Sequence, residues 1–364
     1  SSIRLFVYSS IRLFVYSYKE SNMKLVVLSY SHHGRGMAHT AHGLGHDIVG
    51  VMDGDAGPRQ QLAEEFQCHS FESAGACLDA CLPDAALVAG KHVEMPSHVQ
   101  ACVDRRVPYL LDKPFADCAD RLRPVAEASE KYGVFSALVL PNRASRIVRV
   151  VKDMVADGSL GDLVLYNSRL NNGPPSRYDP TPSAWHNDPG ISGGGCWAVE
   201  AAHGIDTFLQ FVGDRHISVV GAVMSNAMYS RGVEDSGVGV LRTDDGITGI
   251  VESGYSYPAG TRSGDHFFRF IGTKASVFEQ YGRNGEPLIE VHTTEGVQFS
   301  EDISHGERMQ RVMGKALDAS REGNAFEPTI VDAVRILEIQ DAVYAHARQG
   351  VMTHGPHPMG AQGL

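Results

Sequence analysis

A short turn near the start of the chain holds the first residues with an evident chemical use. Ser29-Tyr30-Ser31-His32-His33-Gly34 follows the apolar run Lys24-Leu25-Val26-Val27-Leu28 and precedes the helix-compatible Met37-Ala38-His39-Thr40-Ala41. A second apolar run, Asp47-Ile48-Val49-Gly50-Val51-Met52, ends at Asp53. Strand, turn, helix, strand and terminal acid, with about 20 residues from turn to acid, is the layout of a dinucleotide-binding unit. Turn amides and the helix N-terminus hold a pyrophosphate, and the acid accepts hydrogen bonds from ribose hydroxyls. Ser29, Ser31 and Gly34 stand at the three positions where such turns usually carry glycine. Serine permits close backbone approach but loses the easy access to positive φ. His32 and His33 either face phosphate or lie exposed on the turn. Asp53 is followed by Gly54 and Asp55, an acidic pair that favours NAD over NADP, whose 2′-phosphate would want a nearby Arg or Lys.

The elements that must position this turn continue downstream. Asp84 to Ala89, Pro108 to Leu111 and Val134 to Val139 are buried-strand runs, separated by helix-like stretches from Gly57 to Gln67, Ser97 to Arg105 and Asp117 to Tyr132. That alternation predicts a doubly wound parallel α/β sheet up to about residue 141. After Pro141 the pattern changes. A helix from Ser145 to Asp157 is followed by a Gly/Pro-rich loop from Asn171 to Gly195. Strands are then expected at Ile217 to Met224, Ser236 to Thr243, Ile247 to Tyr255 and Phe267 to Gly272, with Asp244-Asp245-Gly246 as a hairpin turn. A closing helix covers Thr329 to Arg348. The second half reads as an α+β domain with a mostly antiparallel sheet. The expected division is a Rossmann-type domain over 23–141, an α+β substrate and oligomerisation domain over 142–350, and a tail over 351–364.

Composition narrows the classes. The 364 residues are 43% hydrophobic and 21% charged, as in folded globular proteins and unlike disordered chains. Thirty-two Lys and Arg against 43 Asp and Glu leave a formal charge of −11, which argues against nucleic acid as a partner. No stretch approaches the ~20 apolar residues that span a bilayer, so no membrane partner is expected. Six scattered cysteines suggest free thiols in a reducing cytoplasm. Cys77 and Cys81 with His69 imitate a metal site, but no second ligand pair follows at zinc-like spacing, and no metal is expected. Ser2 to Ser9 is repeated without change by Ser10 to Ser17, which reads as a non-native or artefactual leader over 1–22.

Taken in order, these segments resemble the glucose-fructose oxidoreductase/inositol dehydrogenase (Gfo/Idh/MocA) family. The resemblance runs from about Met23 to Gly350. Its carriers are Asp53 with Ala63-Glu64-Glu65-Phe66, Asp112-Lys113-Pro114 in place of Glu-Lys-Pro, and Gly158-Ser159-Leu160-Gly161. Gly193-Gly194-Gly195, His203-Gly204-Ile205-Asp206 and Gly272-Thr273 follow. The resemblance implies an N-terminal Rossmann domain, a C-terminal open-faced sheet, and a cleft between them for nicotinamide and a sugar, cyclitol or related polyol. It implies that Lys113 is the active-site lysine beside the nicotinamide ribose, and that His203 exchanges the hydroxyl proton. Hydride removal from an alcohol carbon needs such a base and a cation beside the developing alkoxide.

The same resemblance places Asp112, and the loop at Gly90, beside the cofactor. Arg143, Trp185 and His186 are candidate substrate contacts. It also implies self-association, since an open sheet leaves an apolar face. Two departures stand out. The family often carries Asp four residues before the histidine, where this chain has Val199. Glu200 is adjacent, but one residue turns a side chain about 100° around a helix. Gly90-Lys91-His92 replaces the usual Thr-Pro; Lys91 and His92 contact cofactor or an anionic substrate, or form loop surface. NAD-dependent dehydrogenation of a polyol is the leading reading. Transient redox ending in glycoside cleavage or elimination, and non-catalytic nucleotide sensing, are the alternatives.

Overall fold

The computed structural model describes residues 22–29, 32–175, 182–257, 264–281 and 286–349; of residues 32, 182–184 and 349 it describes the backbone alone. Its first part alternates strand and helix: β1 (Lys24–Leu28), α1 (His32–Gly43), β2 (Asp47–Met52), α2 (Ala56–Phe66), β3 (His69–Phe71) and α3 (Ala74–Cys81). Then come β4 (Ala85–Val88), α4 (Met95–Arg105), β5 (Tyr109–Asp112), α5 (Ala119–Lys131) and β6 (Ser136–Val139). All six strands are parallel, in the order β3-β2-β1-β4-β5-β6. The strands are short apolar runs because both faces are covered. Val26, Leu28, Val88 and Leu111 pack on the α4–α5 side, and Leu25, Val27, Leu87 and Leu110 on the α1 side. Strand order reverses between β1 and β4, and in such sheets that crevice, at the strand C-termini, is where ligands bind.

The second part contains α6 (Arg146–Ala156), β7 (Leu163–Asn172), α7 (Pro189–Ser192), α8 (Cys196–Val212), β8 (Ile217–Ser225), β9 (Ser236–Thr243) and β10 (Thr248–Gly254). It continues with β11 (Gly264–Gly272), β12 (Ser276–Tyr281), β13 (Pro287–Thr293), β14 (Gly296–Glu301), α9 (His305–Glu322) and α10 (Ile330–Gln349). The eight strands form one sheet in the order β14-β13-β12-β11-β7-β10-β9-β8. Every neighbouring pair is antiparallel except β7 with β10. One face buries Tyr166, Val251, Phe270 and Val277 with Trp197 and Phe208 of α8. The other leaves Val223 and Phe299 66% and 68% exposed. The expected α/β plus open-faced α+β architecture is therefore the one observed. α9 crosses back, setting Met313, Ala316 and Leu317 under the parallel sheet against Leu25, Val27 and Leu110. Among the described residues, no helix is long and apolar enough to cross a membrane.

Helix α8 carries the histidine of interest, and its start is fixed by a distant carboxylate. Glu234 Oε1 accepts from the backbone N–H of Gly195 at 2.8 Å and of Trp197 at 2.9 Å, and from the Tyr344 hydroxyl at 2.7 Å. The Ala198 N–H donates to that hydroxyl, and the Cys196 N–H to the Glu234 carbonyl. First-turn donors that a helix cannot satisfy itself are thereby satisfied. The approach is close enough that a Cβ on Gly195 would sit 2.0 Å from the Glu234 carbonyl oxygen.

Candidate active site

The turn after β1 solves the missing-glycine problem by exchange. Ser29 takes φ +75°, which the first glycine of such a turn would adopt freely, and its N–H is held by the Met52 carbonyl at 2.8 Å. Its hydroxyl donates to Asp53 Oδ2 at 3.0 Å, while Asp53 Oδ1 accepts the Asp55 N–H at 2.8 Å. Across the switch point Gly90 has φ +109°, and a Cβ there would lie 2.2 Å from Ser29 Oγ. A glycine after β4 thus leaves room for the serine after β1. Gly34 keeps the helix-packing role, since a Cβ would meet the Ser29 carbonyl oxygen at 2.7 Å and Ala89 Cβ at 3.4 Å. A buried acid beside the end of β2 and a helix N-terminus after β1 fit a dinucleotide. Ser31 and the His32 side chain lie outside the described residues. Lys91 reaches Asp55 at 3.1 Å and Glu94 at 3.8 Å.

At the other end of the crevice the charged groups of both halves meet. His33 does not point away into solvent: its Nδ1 lies 2.9 Å from Oδ2 of buried Asp112, the last residue of β5. Lys113 follows, and its Nζ lies 3.6 Å from Glu200 Oε2 on α8, with both side chains at most 5% exposed. Glu200 Oε1 accepts from Asn172 Nδ2 at 2.5 Å, and Asn172 Oδ1 faces His266 Nε2 at 2.8 Å. His203, one turn after Glu200, is buried, and among the described residues its Nδ1 has no hydrogen-bond partner. Burial alone would raise the Glu200 pKa, but Lys113 and then His203 outweigh it and hold the carboxyl at about 2. Burial, reinforced by Lys113 and opposed by Glu200, lowers His203 to about 3, so its imidazole is neutral at ordinary pH.

A wall of rings closes one side. Buried His92 donates from Nδ1 to the Ser192 carbonyl at 2.6 Å, and burial lowers its pKa to about 3. Its ring meets Trp185 edge-on at 4.9 Å, and Trp185 stacks on His186 at 3.7 Å. His305, at the start of α9, is within electrostatic reach of His33, His266 and Lys113.

Arg143, expected as a substrate contact, pairs with Asp206 on α8 through Nε at 3.0 Å and Nη2 at 2.6 Å and so braces the helix. Asn172, His266 and His305 were not singled out by sequence, because they come from strands and a helix with no motif of their own. Glu200 was undervalued: three residues before His203 is as close around a helix as four, on the other flank.

The Ser29–Gly90 exchange predicts that Gly90→Ala lowers stability by about 1–3 kcal/mol, through both the contact and the backbone angle. Adding Ser29→Gly should recover part of that loss in thermal melting; no recovery would leave the backbone angle as the sole cause. Acid sensitivity follows from the buried rings. Since His92 and His203 have an ordinary value of 6.5 and sit at about 3 when folded, the unfolded chain takes up protons first. Their contribution is complete above pH 6.5 and is lost as the pH falls toward 3. The melting temperature should decline across that window, and His92→Asn should flatten the decline.

Two family models match the chain: "Oxidoreductase family, NAD-binding Rossmann fold" over residues 27–138, and "GFO/IDH/MocA C-terminal domain" over 148–278. Rhizopine catabolism protein MocA of Rhizobium meliloti is 26% identical over 219 residues, 59% of this chain and 65% of its own length. Levoglucosan dehydrogenase of Pseudarthrobacter phenanthrenivorans is 23% identical over 223 residues, 60% of this chain and 51% of its own. The chain thus spans less than two thirds of the length of either relative. In fold, a levoglucosan dehydrogenase solved with NADH and levoglucosan superimposes with a TM-score of 0.77 at 18% identity, over 90% of this chain and 98% of that one. With both halves matched in order by its two domain models, the chain belongs to the Gfo/Idh/MocA family of oxidoreductases.

Proposed function

We propose that this chain is an NAD-dependent dehydrogenase that moves hydride between nicotinamide and a secondary alcohol of a sugar, cyclitol or related polyol. The observation that carries the reading is Lys113 at the end of β5, balanced by Glu200 of α8 at 3.6 Å, with His203 Nδ1, unpartnered among the described residues, one turn on. Substrate and cofactor would meet there, with 23–141 as the cofactor half and 142–350 as the substrate half. Bound NAD supplies the two-electron acceptor. Lys113 is charge-balanced but, among the described residues, makes no hydrogen bond, because 3.6 Å exceeds hydrogen-bonding range. Its N–H groups remain to hold the substrate oxygen and steady its developing negative charge. His203 takes the hydroxyl proton at Nδ1, and Glu200 one turn back offsets the charge that the ring acquires.

In this reading Ser29, Ser31, His32, His33, Gly34, Asp53, Gly90 and Asp112 form the cofactor set with Lys113. Asp53, held by Ser29 and the Asp55 N–H, would accept from ribose hydroxyls and repel a 2′-phosphate, which favours NAD over NADP. Trp185 and His186 form the wall against which a sugar ring would rest. The cysteine usage, with all six thiols free, supports a cytoplasmic setting. The open sheet face supports a homo-oligomer: its exposed Val223 and Phe299 flank a row in which Arg269 lies over Phe267 and Phe278.

Incubated with NAD and a panel of polyols and sugars, the protein should produce NADH absorbance. Lys113→Ala should cut kcat at least about 100-fold; unchanged turnover would remove Lys113 from the chemistry. For the open face, Val223→Glu with Phe299→Lys should lower the mass seen by sedimentation, and an identical mass would move the interface elsewhere.

A further inference from the structure

Resting on that dehydrogenase reading, we propose that Glu200 is the positioning carboxylate of this site. It fixes the Lys113 ammonium across the gap between the two halves, and Asn172 with His266 fixes Glu200 in turn. The role belongs to position 200 and not to position 199.

Both carboxylate oxygens are engaged, each on a different side. Oε2 faces Lys113 Nζ at 3.6 Å, and Oε1 accepts from Asn172 Nδ2 at 2.5 Å. Asn172 ends β7 and His266 lies on β11, and these two strands are paired, with Gly264 opposite Asn172. The amide has one donor end and one acceptor end, so the chain reads in a single direction. Turning it over would set its oxygen against the carboxylate and its NH2 against the imidazole N–H. With the amide as it stands, His266 donates from Nε2, which fixes its tautomer. The anchor therefore runs from the floor of the second sheet through an anion to the lysine of the first.

Helix geometry explains why moving the acid by one residue changes its partner. Counting back from His203, position 199 lies about 40° to one side of the histidine and position 200 about 60° to the other. A carboxylate at 199 would flank the imidazole on one side; at 200 it flanks it on the side that meets β5 and β7. Position 199 itself carries Val199, an apolar side chain buried at 6% exposure. The groups facing Glu200 are Lys113 from the β5 end, His203 on its own helix, His33 of α1, Asn172 of β7 and His266 of β11.

Three variants of the full chain test the assignment. Glu200→Gln keeps the shape and removes the charge, Glu200→Asp keeps the charge at shorter reach, and Glu200→Ala with Val199→Asp moves the charge back one residue. Carbon-13 NMR of the lysine Cε resonances, with Lys113 assigned by its loss in Lys113→Arg, follows the surroundings of its ammonium without any substrate. Glu200→Gln should displace the Lys113 resonance, since the carboxylate charge that faces Nζ at 3.6 Å is gone. Glu200→Asp should displace it less. In turnover, Glu200→Gln should lower kcat at least tenfold (on the order expected when a group that supports proton transfer is lost) and alter the pH profile, with KM for NAD little changed. An unmoved Lys113 resonance in Glu200→Gln overturns the proposal, and so does full recovery of the resonance and kcat in the Val199→Asp relocation. If Glu200→Gln does not fold, Glu200→Asp decides: a resonance and kcat equal to those of the parent overturn the assignment. A displaced resonance with no NADH formed by the parent from any polyol counts against the dehydrogenase reading and leaves the placement of Glu200 standing.

Discussion

The buried ion pair between Lys113 and Glu200 is the constraint around which the rest is arranged. Two charges taken out of water each carry a desolvation cost of several kcal/mol, and deleting one partner of such a pair typically costs about 3–5 kcal/mol. A fold tolerates this only if both backbones are held where the charges can meet. Lys113 is held by the end of a four-residue strand buried along its whole length. Glu200 is held by a helix that packs on a different sheet. The pair therefore ties the relative placement of the two sheets to the electrostatics of a single crevice.

That requirement accounts for how heavily α8 is fastened. Its first turn is closed by Glu234 and Tyr344, two residues from far along the chain. Gln340 of α10 donates to the carbonyls of Trp197 and Ala198 at 3.0 and 3.1 Å. Farther along, Arg143 grips Asp206, and the Tyr166 hydroxyl donates to the Gly204 carbonyl at 2.9 Å. Gly204 itself lies against Ser168 and Val251, with no room for a side chain. Each fastening restricts sliding or rotation of the helix, and a rotation of one residue would carry Glu200 away from Lys113. Asp206 and Arg143, read in sequence as motif and substrate contact, are also parts of this mounting.

The parallel sheet was legible except for the exposed edge strand β3, His69–Phe71, because its other strands are short, apolar and separated by helices, so periodicity and burial carry the same message. The second sheet was legible only where strands were β-branched. β7, its central strand, reads Leu163-Val-Leu-Tyr-Asn-Ser-Arg-Leu-Asn-Asn172, and was missed. One of its faces is core and the other is the open surface, so polar residues interrupt the run. β12 to β14 escaped for the same reason. At the site, Lys113, His203 and Asp53 stood in recognisable surroundings. Asn172 and His266 did not, since what makes them partners of Glu200 is a strand pairing between residues about 94 positions apart in the chain. Their involvement is a property of register, and nothing local encodes it.

Two other buried charge clusters of the molecule differ from this crevice in being closed. Arg143 and Asp206 satisfy one another through several short hydrogen bonds. Arg308 donates to Asn142 Oδ1, the Ile303 carbonyl and Glu279, and lies 3.1 Å from Asp302, which in turn accepts from the N–H groups of Arg146 and Ile147. Those clusters are closed and have structural work alone to do. The Lys113 cluster has its charge balanced while its hydrogen bonding is unfinished: the ammonium donates to nothing in the described protein, and His203 Nδ1 is orphaned. In the proposed dehydrogenase, one alcohol oxygen would accept from the lysine and give its proton to the imidazole.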